Sequence, residues 1–159
     1  MAGKIKAGEG TLIGNAGEHY VVAELLKRGV TAALAPRNSP AFDILATFKG
    51  QTICIRVKTK SEQYDIWQWN VKSDGMIFRD LRDEGDFTIL VNLTEKTEDL
   101  QFFILPTNQL DRWLKSDFQK WVSTPGSRGQ QRNPGNKKRH LPYSKYKSQL
   151  KMDWDALWN

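Results

Sequence analysis

The chain has 159 residues, 39% of them hydrophobic, which predicts one domain with a substantial core, and its single cysteine, Cys54, excludes a disulfide framework or a multi-cysteine zinc site. No apolar run is long enough to cross a membrane, and the opening MAGKIKAGEG has no hydrophobic segment of a signal peptide, so we expect a soluble cytoplasmic protein. The net charge of +6 comes entirely from residues 118–152, which contain no Asp or Glu.

Hydrophobic spacing in chain order predicts an α+β protein with a mixed sheet. An amphipathic helix at residues 16–28 ends at Gly29, and a turn at Lys49-Gly50 joins two strands into a hairpin. The expected strands are 30–35, 42–48, 52–58, 86–93 and 100–105, with an extended segment or strand at 65–71 and a second helix at 108–114. We therefore expect a flexible arm at 1–13, a core at 14–122, and a basic Gly/Pro-rich loop with a tryptophan-containing end at 123–159 that packs on the core.

The hairpin brings three charged residues to one end of the predicted sheet. A turn centred on Lys49-Gly50 sets Asp43 opposite Arg56, with Lys58 one step beyond. Because side chains alternate along a strand, Arg56 and Lys58 point the same way while Val57 points into the core. Two of these residues also have an ordinary structural explanation. Asp43 can cap a turn, and Lys58 can protect a strand edge from aggregation.

The motifs that contain these residues resemble the PD-(D/E)xK nuclease superfamily. The matching positions are Glu18 in GEHYVVAELLKRG, Asp43 in AFDILA and Lys58 in IRVKTK, and the likeness spans roughly residues 14–114. It is greatest for small resolvase-like and homing-endonuclease-like members. The resemblance implies an αβββαβ restriction-endonuclease-like core, with a central mixed sheet flanked by helices.

The resemblance also implies a chemistry, namely Mg²⁺-dependent hydrolysis of phosphodiester bonds in DNA. Asp43 would be the main metal ligand, Glu18 a second ligand, and the carbonyl of Val57 would complete the metal shell. Lys58 would be the catalytic lysine that stabilises developing negative charge. Many small nucleases of this class act as symmetric dimers, so a homodimer is a further expectation.

Arg56 departs from the family pattern, which has Glu, Asp or Gln two residues before the lysine. A guanidinium stays protonated and cannot ligate a metal, so Arg56 would repel Mg²⁺ and could pair with Asp43. Either Glu62 supplies the missing carboxylate, or the site has lost hydrolysis and retains only nucleic-acid binding. We also expect an Arg56→Glu substitution to raise the affinity for Mg²⁺.

The basic residues suggest where nucleic acid would bind. Lys and Arg neutralise phosphates and release counterions, although a solvated basic loop that only aids solubility is the alternative. Three functions thus stay open: a DNA endonuclease, an inactive nuclease-fold DNA-binding module, and a protein-interaction module whose basic tail docks an acidic protein. The expected nucleic-acid contacts are Lys60, Arg128, Arg132, Lys137, Lys138 and Arg139.

Overall fold

The computed structural model describes residues 10–36 and 39–159. Its helices are α1 (Gly10–Lys27), α2 (Thr107–Ser123) and the short α3 (Tyr143–Tyr146). Its strands are β1 (Thr31–Leu34), β2 (Ile44–Phe48), β3 (Gln51–Ser61), β4 (Ile66–Asn70), β5 (Asp86–Leu93), β6 (Gln101–Pro106) and β7 (Lys138–Pro142). Of the arm expected at 1–13, residues 1–9 lie outside the described residues, whereas residues 10–13 already belong to α1.

Five strands form a mixed sheet in the order β1-β2-β3-β5-β6, which confirms the predicted fold class. Among the strands that the structure describes, the β3–β5 pair is parallel and the other pairs of this sheet are antiparallel. The β2–β3 hairpin pairs Ile44 with Ile55, the register that sets Asp43 opposite Arg56. The turn is tight because Lys49 and Gly50 both take positive φ angles, of 48° and 81°.

Each face of this sheet carries its own hydrophobic cluster. On the first face, α1 buries Val21 and Leu25 against the sheet, and Leu157 of the C-terminal segment joins the same cluster. On the second face, Leu110 and Leu114 of α2 pack in a cluster with Trp67 of β4. Trp154 and Trp158 of the C-terminal segment also pack against the first cluster.

The second face also carries an element that the sequence did not predict, a two-stranded ribbon of β4 and β7. No strand was predicted for the segment 138–142, but it pairs with β4 from Ile66 opposite Pro142 to Asn70 opposite Lys138. Helix α2 also runs on to Ser123 rather than ending at Leu114, because nothing between those residues interrupts a helix. Among the described residues, no helix combines the length and apolarity needed to span a membrane.

Candidate active site

Asp43 is held at the point where β2 begins. Its backbone N–H donates to the carbonyl of Ile55 at 2.9 Å, and its own carbonyl accepts from the N–H of Ala35 at 2.7 Å. Its side-chain Oδ2 accepts a hydrogen bond from the N–H of Val57 at 2.7 Å. Just before β2 starts, the Asp43 carboxylate therefore accepts the β3 hydrogen bond that a backbone carbonyl would accept if β2 were longer. The hairpin sets the position of this carboxylate.

Glu18 lies on α1 beside this carboxylate. Burial, and after it the negative charge of Asp43, raises the pKa of the Glu18 carboxyl, while His19 acts in the opposite direction. Burial also raises the pKa of Asp43, against the Val57 N–H and the charges of Arg56 and Lys58. The two acids line one cleft of about 370 Å³ between α1 and the segment that precedes β2. A cation in this cleft would offset the repulsion between them.

The predicted alternation along β3 is confirmed, because its cationic residues share one face and Val57 packs against the core on the other. Each of the three cations lies over an aromatic ring. The pairs are Arg56 over Phe78 at 5.5 Å, Lys58 over Trp69 at 5.6 Å and Lys60 over Trp67 at 4.9 Å. Burial lowers the pKa of the half-buried Lys58, with Lys72 acting in the same direction and Asp43 opposing it.

Arg56 does not pair with Asp43, which corrects the expectation from sequence. Its Nε and Nη2 donate to the two carboxylate oxygens of Asp86 at 3.0 and 2.8 Å, and Nη2 also donates to the carbonyl of Arg79 at 2.7 Å. Only 9% of Arg56 and 5% of Asp86 is exposed. The guanidinium is thus directed toward β5, on the side of β3 opposite to β2, and its charge is balanced there.

Glu62 is not brought to Asp43. Strand β3 continues to Ser61, so Glu62 follows the end of the strand instead of starting a helix, and its Oε1 accepts from the N–H of Glu95 at 3.3 Å. It lies six residues beyond Arg56, the residue opposite Asp43, and at about 3.3 Å per residue this is a separation on the order of 20 Å. Glu62 therefore supplies no third carboxylate to the site.

Lys60 is also placed differently from the expectation. It was expected to contact nucleic acid, but it is only 6% exposed, and its Nζ donates to Oδ1 of Asn92 at 2.7 Å. The rings of Trp67 and Tyr143 lie 4.9 and 5.4 Å from the ammonium. Lys60 therefore belongs to the packed second face. Of the other expected contacts, Arg128, Lys137 and Lys138 are exposed, and Arg132 and Arg139 are half-buried.

Asp86 is the functional-site residue that the sequence interpretation missed. The one sequence feature that marks Asp86 is its position, as an acidic residue at the start of the largely buried strand DFTILVNL. Thirty residues separate it from Arg56, and the pairing depends on β3 and β5 lying side by side. Trp69, whose ring lies near Lys58, packs on Phe78 with the ring centres 6.3 Å apart.

The oxygen atoms around Asp43 fit a hard divalent cation. The described residues contain no group of three or more His, Cys, Asp or Glu side chains able to hold a metal. However, Mg²⁺ keeps several waters and needs only one or two carboxylates from the protein. The N–H of Val57 bonds to Asp43, and because the N–H and C=O of one residue leave a strand on the same edge, the carbonyl of Val57 lies on the edge of β3 that faces Asp43. Glu18, Asp43 and this carbonyl are a suitable donor set.

Neither a family model nor a curated protein matches this sequence. Among solved structures, the chain is similar to Hjc, a Holliday junction resolvase from the archaeal hyperthermophile Archaeoglobus fulgidus. The TM-score is 0.51 at 16% identity, over 91% of this chain and 94% of that chain. A bacterial homing endonuclease, I-Ssp6803I, gives a TM-score of 0.48 at 18% identity, over 66% of this chain and 74% of that chain. The likeness to the resolvase shows that the chain has the restriction-endonuclease-like fold that its sequence motifs implied.

Proposed function

We propose that this protein is a Mg²⁺-dependent endonuclease that hydrolyses phosphodiester bonds in DNA. The observation that carries the proposal is the pairing of Arg56 with Asp86. This pairing directs the guanidinium away from Asp43 and balances its charge with that of Asp86. It leaves the Asp43 carboxylate beside Glu18 and Lys58. The shared fold with a Holliday junction resolvase supports the same class of reaction.

Each residue has a distinct role in this reaction. Glu18, Asp43 and the carbonyl of Val57 would hold Mg²⁺, which polarises the scissile phosphate and lowers the pKa of an attacking water. The hydrogen bond from the Val57 N–H fixes the Asp43 carboxylate before substrate binds. Lys58, supported by the ring of Trp69, donates a hydrogen bond from Nζ to a phosphate oxygen as negative charge develops there.

The test is cleavage of supercoiled plasmid and of branched DNA with and without Mg²⁺. We expect Asp43→Ala and Lys58→Met each to lower the rate on the order of a hundredfold or more. Matched controls are Asp99→Ala and Lys49→Met, which change the same residue types at exposed positions away from the site. Full cleavage by Asp43→Ala, with a native circular dichroism spectrum, would contradict the proposal.

A second candidate is a DNA-binding module without hydrolysis. The observation that favours it is that, among residues 10–36 and 39–159, two carboxylates rather than three converge at the site. This candidate predicts tight DNA binding in which log K falls steeply with log salt, but no cleavage with Mg²⁺ or Mn²⁺. The cleavage assay therefore separates the two candidates directly.

A homodimer is part of the proposal, because cutting both strands of DNA requires two sites. We expect the complex with duplex or branched DNA to contain two copies of the chain. Light scattering of the complex measures this number, and a complex with a single copy would restrict the protein to one cut for each binding event.

A further inference from the structure

A second cleft is lined by residues of the basic segment 118–152 and lies between α2 and the chain that leads into and forms β7. Its volume is about 390 Å³, close to that of the cleft at Asp43. Its one acidic lining residue, Asp117, is already bound to Lys145 at 2.7 Å. The lining therefore keeps a surplus of positive charge, contributed by Lys120, Arg132, Lys138 and Arg139.

The two arginines of this cleft are held in place by aromatic rings. Phe118 and Trp121 stand three residues apart on α2, so they share a face, and their rings stack with centres 5.7 Å apart. The guanidinium of Arg139 lies 3.4 Å from the centre of the Phe118 ring, and that of Arg132 lies 4.8 Å from the Trp121 ring. Because the guanidinium groups cover these rings, the rings serve as supports for the cations and not as platforms for bases.

Backbone carbonyls fix the same two arginines but use only some of their donors. Arg132 donates from Nε to the carbonyl of Thr124 at 2.9 Å. Arg139 donates from Nη1 to the carbonyls of Asn136 and Lys138, at 2.6 and 3.0 Å. Both Nη atoms of Arg132, and Nε and Nη2 of Arg139, bond to no acceptor in residues 10–36 and 39–159, and neither arginine pairs with a carboxylate there.

Planar guanidinium groups that are ordered in advance and keep free N–H donors are suited to bind phosphate oxygens. The side-chain entropy that binding would otherwise cost has been lost already in folding. The cleft is also connected to the Asp43 site, because Arg139 on β7 pairs directly with Trp69 on β4, whose ring lies under Lys58.

We propose that this cleft binds the phosphodiester backbone of the DNA substrate at a place away from the scissile phosphate. It would anchor a flanking segment or a neighbouring arm while the bond is positioned at Asp43. The inference rests on the proposed function, because the ligand of the cleft is the same DNA that is cleaved at Asp43. It adds a second binding site, whose wall is formed by α2.

The test compares DNA affinity across a range of salt concentrations, without divalent metal so that no cleavage occurs. The variant is Lys120→Gln combined with Lys138→Gln, since both side chains are exposed. We expect a loss of affinity on the order of tenfold and a decrease of about two in the slope of log K against log salt, one for each lost phosphate contact. A second variant, Arg132→Gln, removes one of the stacked guanidiniums and should also reduce affinity.

The matched control is Lys147→Gln combined with Lys151→Gln, which removes the same charge from the same basic segment outside the cleft. Equal losses of DNA affinity in the cleft variant and the control would overturn the inference. They would show that the positive charge of the whole basic segment attracts DNA without a specific binding site. Displacement of the DNA by a poly-glutamate peptide at similar concentration would also overturn it, in favour of an acidic protein partner.

These measurements separate the failure of this inference from the failure of the proposed function. If Asp43→Ala leaves cleavage intact, or the wild type never cleaves, while the cleft variant still loses affinity, the cleft stands and the nuclease proposal falls. If cleavage depends on Asp43 but the cleft variant binds DNA like the wild type, the nuclease proposal stands and the cleft falls.

Discussion

Arg56 and Asp86 form a buried, two-pronged ion pair across β3 and β5, with hydrogen bonds of 3.0 and 2.8 Å. Arg56 stands at the sequence position where the resemblance implies Glu, Asp or Gln. Asp43 flanks the edge of β3 that pairs with β2, whereas Asp86 flanks the edge that pairs with β5. The pair therefore balances the charge of Arg56 and directs its guanidinium toward Asp86 instead of Asp43. It also explains how the chain tolerates an arginine beside two carboxylates.

Asp86→Asn is predicted to destabilise the protein strongly. It leaves the guanidinium of Arg56 buried without a counter-charge, and loss of one partner from a buried pair costs about 3 kcal/mol or more. Urea unfolding followed by circular dichroism measures the change. The matched control is Asp117→Asn, which breaks the pair with the half-exposed Lys145 and should cost about 1 kcal/mol or less. Equal effects in the two variants would contradict the structural role of Arg56.

Arg56→Glu is predicted to lower stability and not to create a metal ligand. The new carboxylate would face Asp86 in a buried site, where two like charges repel each other. This reverses the expectation drawn from sequence that the substitution would raise Mg²⁺ affinity. Urea unfolding together with Mg²⁺ titration calorimetry tests both effects, and the Arg56→Glu/Asp86→Arg double variant should recover much of the lost stability. Tighter Mg²⁺ binding by the single variant would show that Arg56 faces the site.

Gly17→Ala is predicted to disturb the packing of α1 on the sheet. An added Cβ would lie 1.8 Å from Oγ1 of Thr59, so the helix must move away from β3, at a cost of about 1 to 3 kcal/mol. Since Glu18 follows directly, cleavage should also decrease. Gly14→Ala is the matched control on the same helix: nothing lies within 4 Å of its Cβ, and helix propensity should make it neutral or stabilising. Comparable unfolding midpoints for the two variants would rule out close contact at Gly17.

Lys60 is predicted to make stability rise with pH on the alkaline side. Burial lowers its pKa below the ordinary value of 10.5, against the charges of Asp65 and Glu62. Between the folded-state pKa and 10.5 the unfolded chain binds more protons, so the free energy of unfolding increases with pH there. The stability of the wild type relative to Lys60→Met should therefore increase as pH rises from neutral toward 10.5. A difference that stays constant would show that the ammonium is solvated.

The sequence predicted the elements and register of the hairpin well because those features are local. Alternating apolar residues identify β2 and β3, and Lys49-Gly50 takes the positive φ angles of a tight turn, so Asp43 falls opposite Arg56 without reference to the remainder of the chain. The end of α2 and strand β7 were missed. Residues 138–142 have little strand pattern of their own and become a strand only by pairing with β4.

The sequence by itself predicted that Asp43 and Lys58 lie close together, because strand alternation and one tight turn are short-range properties. The resemblance to a nuclease family added Glu18 and the carbonyl of Val57 as expected metal ligands. Only the tertiary structure decided what Arg56 does. Its partner Asp86 is 30 residues away and reaches it through a parallel pairing of β3 and β5. Long-range pairing likewise buried Lys60 beside Asn92 and brought β7 to α2 to form the second basic cleft. The charges are read from the sequence, but their partners are set by which strands become neighbours in the sheet.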